Sequence, residues 1–152
     1  MNIDEYAKLI KEKFNYLFEK YGFSDVYIRE IQNHHKVFRI GLQSDVCKIL
    51  FVREQGAGVA FLGTSSAPFE DEMNEEWISL ISLLGYILKK EFDWTFLNTL
   101  SRSQQIEASL SFSSSQFRPY CKQITEMFSS RENIAKWKPA YKQYIKEKVR
   151  RS

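Results

Sequence analysis

Three short runs between residues 36 and 64 constrain this chain most, because the links between them are too short for anything except hairpins. Phe38, Ile40 and Leu42 alternate with Val37, Arg39, Gly41 and Gln43, the period of a half-buried strand. Gln43-Ser-Asp45 connects this run to Val46–Val52, whose near-continuous apolar character predicts a central strand. Glu54-Gln-Gly-Ala-Gly58 then turns the chain into Val59–Gly63, with Gly56 and Gly58 expected to supply positive φ. A parallel crossover needs a dozen or more residues, so the strands are antiparallel neighbours in a meander. Phe23–Ile31, with Val26, Tyr27 and Ile28, reads as one more strand, and Gln32-Asn-His-His35 as its turn.

Helical periodicity flanks the meander. Ile3, Tyr6, Ala7, Ile10, Phe14, Leu17, Phe18 and Tyr21 recur at three and four residues with Gly22 just beyond, an amphipathic helix with a glycine stop. After the loop Thr64–Pro68, a long helix is expected from about Phe69 to Lys90, with Met73, Trp77, Leu80, Ile81, Leu84, Ile87 and Leu88 on one face. Its acids would sit in the first turns and Lys89 and Lys90 in the last, which suits the helix dipole. Trp94–Leu100 fits a strand or a short helix. Ile106, Ala108, Leu110 and Phe112 alternate like a strand, and Ser111–Ser115 reads as a flexible break. Phe117–Phe128 returns to helical spacing, and Pro139 either opens a last helix or kinks a longer one.

The fold class that follows is α+β: an N-terminal helix, a three- to four-stranded antiparallel meander, a long helix on the sheet, and helical C-terminal elements. Residues 1–152 form a single domain, with an α-meander-α core over 1–92 and a mainly helical extension over 93–152.

Charge is unevenly spread. From Arg131 to Ser152 eight basic and two acidic residues give +6, while the remaining residues sum to −3. Five acids, Glu70, Asp71, Glu72, Glu75 and Glu76, lie close together. In the last segment Lys138, Lys142, Lys146 and Arg150 recur every fourth residue beside a second ladder of Trp137, Tyr141, Ile145 and Val149. Like charges at that spacing repel by about 0.2–0.5 kcal/mol per pair on a helix. The aromatic ladder is expected to dock on the domain, with the acids at 70–76 offering relief to the cationic ridge. Alternatively Lys138, Lys142, Lys146, Arg150 and Arg151 contact phosphates while Tyr144 stacks on a base. A basic amphipathic helix of this kind can also lie on an anionic membrane surface.

Catalytic signatures are missing from the sequence. His34 and His35 are adjacent, so on a strand they face opposite ways and chelate poorly. The two histidines and two cysteines lack zinc-site spacing. The glycine loops match neither a Walker loop nor a dinucleotide fingerprint, and Ser65-Ser66 lacks a nucleophile elbow's glycines. Asp45, Glu54 and Asp71 lie near element ends where a metal-dependent hydrolase places ligands, without the Asp-x-Asp such a site favours. Neither a cofactor nor a metal is expected. Cys47 and Cys121 are expected to be reduced packing residues. The polar start Asn2-Ile-Asp-Glu5 does not read as a secretory signal, and a cytoplasmic location is the expectation.

Tyr21–Arg29, Phe38–Gln43 and Ile49–Gly56 resemble small bacterial proteins, some of them encoded like immunity proteins beside toxins. In those a helix ending near Tyr-Gly-Phe leads to strands, a Val-Arg-Asp-Arg-Gly-like turn and a Trp-containing helix. Here Val52-Arg-Glu-Gln-Gly56 and Glu75-Glu-Trp77 occupy those places. The resemblance covers residues 15–88, and the chain departs from it after Leu88. It implies a non-enzymatic, stoichiometric inhibitor, with the acids at 70–76 meeting a basic protein partner.

Overall fold

A computed structural model describes residues 1–32 and 35–151. Helix α1 (Ile3–Lys13) starts on a capping box: the Asn2 side chain accepts from the Glu5 N–H, and the Glu5 carboxylate accepts from the Asn2 N–H. The expected single helix breaks at Phe14 and resumes as α2 (Asn15–Glu19). Gly22, at φ 72°, then turns the chain into β1 (Ser24–Gln32). The anticipated turn at Gln32–His35 includes Asn33 and His34, which lie outside the described residues.

Strands β2 (Lys36–Gln43), β3 (Cys47–Glu54) and β4 (Gly58–Thr64) follow as antiparallel neighbours. A two-residue β5 (Ile78–Ser79) completes a five-stranded sheet in sequential order. The α+β class is therefore the observed one, with one strand more than expected. In the β3–β4 turn the positive φ falls on Gln55 (68°), not on Gly56 or Gly58. Gly58 sits in a tight place instead, since a Cβ there would be 3.1 Å from Leu110 and 3.2 Å from the Tyr6 hydroxyl and would push one of them by a few tenths of an ångström.

The sheet buries both faces. Phe38, Ile40 and Leu42 of β2, Ile49 and Phe51 of β3, and Ala60 and Leu62 of β4 join the main core with Tyr6, Ile10, Phe14 and Leu17. Phe14 meets Phe51 edge-on at 4.9 Å, and Tyr6 meets Phe38 at 5.9 Å. Ile106, Leu110, Phe117, Cys121, Ile124, Phe128 and Tyr141 belong to the same cluster, so the helices beyond residue 92 share the core of the meander. The other face carries a smaller cluster, Leu50, Val52, Ala67 and Trp77.

Two expectations about the helices are corrected. Helix α3 covers only Leu80–Leu88, capped by Ser79, and residues 69–77 are irregular. The stripe from Met73 to Leu88 serves two faces: Trp77 enters the smaller cluster, while Leu80, Leu83 and Leu84 enter the main core. A straight helix cannot reach both sides of a sheet, so the chain passes the sheet edge as β5. The acids at 70–76 therefore have no helix dipole to complement.

The second correction concerns residues 106–115, which are neither a strand nor a break but the interior of α4 (Arg102–Phe117). Its small serines let it approach its neighbours closely. Ser109 Oγ donates to the Ile106 carbonyl at 2.9 Å and accepts the Gly58 N–H at 3.0 Å. Ser114 Oγ donates to the Lys13 carbonyl at 2.5 Å, and its own carbonyl accepts the Tyr16 hydroxyl at 2.9 Å. Ser101 and Gln104 form the capping box that starts α4. Ser101→Ala is expected to cost about 1 kcal/mol in urea unfolding, and Ser101→Asp much less.

Thr95–Thr99 is a short 3-10 helix, α5 spans Cys121–Met127, and α6 spans Arg131–Arg151 with Pro139 inside it. Pro139 thus lies within a longer helix rather than at the start of one. Cys47 and Cys121 are free thiols, both fully buried. Among the described residues no helix is long and apolar enough to cross a membrane.

Candidate functional site

The acids at 70–76 ride on a strap, residues 65–77, that crosses the smaller face of the sheet. Aromatic rings fix its path. Phe69 stacks on Tyr27 of β1 at 5.2 Å and 8° between planes, and on Trp77 at 5.5 Å. It lies directly over Gly41, where a Cβ would come within 2.4 Å of the ring. A glycine in a strand interior often marks such an approach, and Gly41 is one here.

Basic side chains rising from the sheet hold the strap by its backbone. Lys48 Nζ donates to the Ala67 carbonyl at 2.8 Å and sits 4.7 Å from the centre of the Phe69 ring. Arg39 Nη1 donates to the Glu70 carbonyl at 2.9 Å. Trp77 Nε1 closes the strap on itself by donating to the Pro68 carbonyl at 3.0 Å. Beyond it, the Asn74 side chain accepts the Glu76 N–H at 2.8 Å and shapes the turn.

The five acids do different things. Asp71 accepts two bonds from Arg29, at 3.1 and 3.3 Å, and one from the Tyr27 hydroxyl at 3.4 Å. The Arg29 hydrogen bond, above all, holds its carboxyl below the usual aspartate range. Glu70, Glu72, Glu75 and Glu76 are exposed. Among the described residues the ion pairs are Lys13–Glu107 and Arg29–Asp71, with His35–Glu54 a third contact that is charged only when the histidine is protonated, so these four glutamates enter none of them. The result is an anionic surface on a fixed backbone.

Helix α6 meets the far end of this strap. Lys138 Nζ donates to the Glu75 carbonyl at 3.3 Å, and Glu76 shares a small cleft with Arg131 and Lys138. The cationic ridge and the acids therefore touch at Lys138, through a backbone oxygen rather than a carboxylate. Lys142, Lys146, Arg150 and Arg151 remain exposed.

The aromatic ladder docks over its first three rungs. Trp137 Nε1 donates to the Met127 carbonyl at 3.0 Å and its ring meets Phe128 at 5.2 Å, Tyr141 is 7% exposed, and Ile145 is half-buried. Val149, the fourth rung, is 69% exposed. Tyr144 lies 5.3 Å from Tyr86, and Lys89 sits 5.3 Å from the centre of its ring.

The carboxylates considered as metal ligands are scattered. Asp45 lies in the β2–β3 turn, Glu54 at the far end of β3 against His35 (2.6 Å), and Asp71 on the strap. Among the described residues no three His, Cys, Asp or Glu side chains converge to hold a metal. Sequence reasoning found the acids but missed Tyr27, Arg29, Arg39 and Lys48, which position them. Gly41 and Gly63, two glycines inside otherwise apolar strands on one face, were the available signal. Comparison of the chain with protein-family models, curated proteins and solved structures finds no match.

Proposed function

We propose that this chain is a non-enzymatic protein-binding module, a stoichiometric inhibitor of the immunity type, which presents its acidic strap to a basic surface on a protein partner. The observation that carries the reading is the fixed strap with its exposed Glu70, Glu72, Glu75 and Glu76. A backbone already held in place loses little conformational entropy on binding, and a single-sign patch accelerates encounter with an oppositely charged partner.

A photo-crosslinker in place of Glu72 identifies the partner, and stopped-flow mixing measures its association with unlabelled protein. Combined Glu72→Lys, Glu75→Lys and Glu76→Lys changes are expected to slow association by at least about tenfold at low salt, with the difference closing as salt rises. An unchanged association rate overturns the proposal.

The nucleic-acid reading keeps its exposed cations at Lys142, Lys146, Arg150 and Arg151, but Tyr144, its stacking ring, is already engaged by Tyr86 and Lys89. The protein-binding reading is the better supported.

A further inference from the structure

Arg39 is an unusual residue for the middle of a sheet face. It is 6% exposed, yet its guanidinium donates to one neutral carbonyl, that of Glu70, and approaches the Met73 sulfur at 3.5 Å. Its Nε is buried without a hydrogen-bond partner. The nearby carboxylate of Asp71 makes its two-bond pair with Arg29 and acts on Arg39 only through space, without a hydrogen bond to it. A guanidinium has five donors, and burying one without an anion is costly.

This group borders a cavity of about 420 Å³ beside the strap, walled by Val52, Val59, Phe61 and Met73 with Glu54 also on its boundary. Val59 and Met73 are 39% and 37% exposed, which leaves apolar surface open around the cation. Glu54, the acid that would oppose an anion here, has its side chain turned largely to solvent, which screens its charge, and is hydrogen-bonded to His35 at 2.6 Å. Pockets for small molecules run to about 300–1,000 Å³, mostly apolar with a few convergent polar groups.

We propose that this cavity is a binding site for a small apolar carboxylate, a short-chain aliphatic or aromatic acid. Its carboxylate pairs with Arg39 and its hydrocarbon body lies against Val52, Val59, Phe61 and Met73. The role of Arg39 as a strut beneath Glu70 uses Nη1, and Nε is closed off by the surrounding protein, so Nη2 is the donor left to meet the ligand's carboxylate.

Hexanoate and benzoate, titrated into the full chain while methyl resonances are followed by NMR, test this. Saturable shifts centred on the methyls of Met73, Val52 and Val59 are expected. Hexanamide, of the same size and without charge, is expected to bind at least about tenfold more weakly, and Arg39→Gln to lose the preference for the acid. Should Arg39→Gln fold poorly, Val59→Glu sets a carboxylate on the cavity wall at a partly exposed position and is expected to abolish hexanoate binding. Equal binding of hexanoate and hexanamide, shifts centred elsewhere, binding undiminished in Val59→Glu, or no saturation by about 20 mM of either acid overturns the proposal.

Discussion

Trp77→Ala is expected to cost about 3–5 kcal/mol of folding free energy and to release the acidic strap from the sheet. The indole is 6% exposed and packs at the junction where the chain leaves one sheet face for the other. It stacks on Phe69 and donates to the Pro68 carbonyl. It also lies against Gly63, where an added Cβ would be 3.1 Å from the ring. Truncation opens a void among Leu50, Val52 and Ala67 and leaves the Pro68 carbonyl without its donor. The strands cannot move to close that void, because β3 and β4 are fixed by their ladders on both sides.

Urea unfolding measures the loss, and limited proteolysis reports where it acts. Cleavage within residues 65–77 is expected to precede cleavage anywhere in α1 or α4. Trp77→Phe, which keeps most of the apolar contact and loses the indole donor, is expected to fall between parent and alanine. A loss under about 1 kcal/mol, without faster cleavage of the strap, would show that Phe69 and the three basic anchors suffice.

The second large effect is alkaline. Burial pushes the thiols of Cys47 and Cys121 up to about 12, from an ordinary value of 9.0, with Cys121 adding to the shift at Cys47. Burial likewise raises the hydroxyls of Tyr6 and Tyr16 above the usual tyrosine range. Above the ordinary values the unfolded chain releases these protons while the folded chain keeps them. The unfolded state then binds fewer protons, so stability falls as pH rises.

At pH 10 the two thiols together remove about 3 kcal/mol, at 1.36 kcal/mol per pH unit each, from a total of about 5–15 kcal/mol for a domain of this size. The tyrosines add to the slope above that pH. Urea midpoints at pH 8 and pH 10 measure the drop. A double Cys47→Ala, Cys121→Ala chain is expected to be less stable at pH 8 but to lose much less between the two. Matching midpoints for the parent at both pH values would mean that the thiols ionise in the folded state.

Helix α1 was legible because it turns one helical period toward the core, and the meander because links too short for a crossover force hairpins although the sheet buries both faces. The strap was not, because Met73, Trp77, Leu80 and Leu84 keep helical spacing while Trp77 and Leu80 are drawn to opposite sides of the sheet. Helix α4 was misread for a different reason. Ile106 and Leu110 satisfy period two and period four alike, and the choice rests on Ser109, Ser113 and Ser114, whose burial is decided by close contact rather than hydropathy. The acids of the strap could be read as a charge cluster. Their anchors on β1, β2 and β3 lie 19 to 44 residues away, and only the sheet register brings them under the strap.

The bond from the Tyr16 hydroxyl to the Ser114 carbonyl spans 98 residues, so its two ends are made far apart in time. The meander closes through hairpins whose partners are near neighbours in the chain, and loops of that length form quickly. Helices α1 and α2 are made before the meander, yet they have no α4 to rest on until the chain has grown past Phe117. During synthesis at about 5–20 residues per second, Phe14 and Tyr16 therefore spend several seconds without their final cover. A segment synthesised ahead of the meander is thus sealed only once α4 has been made.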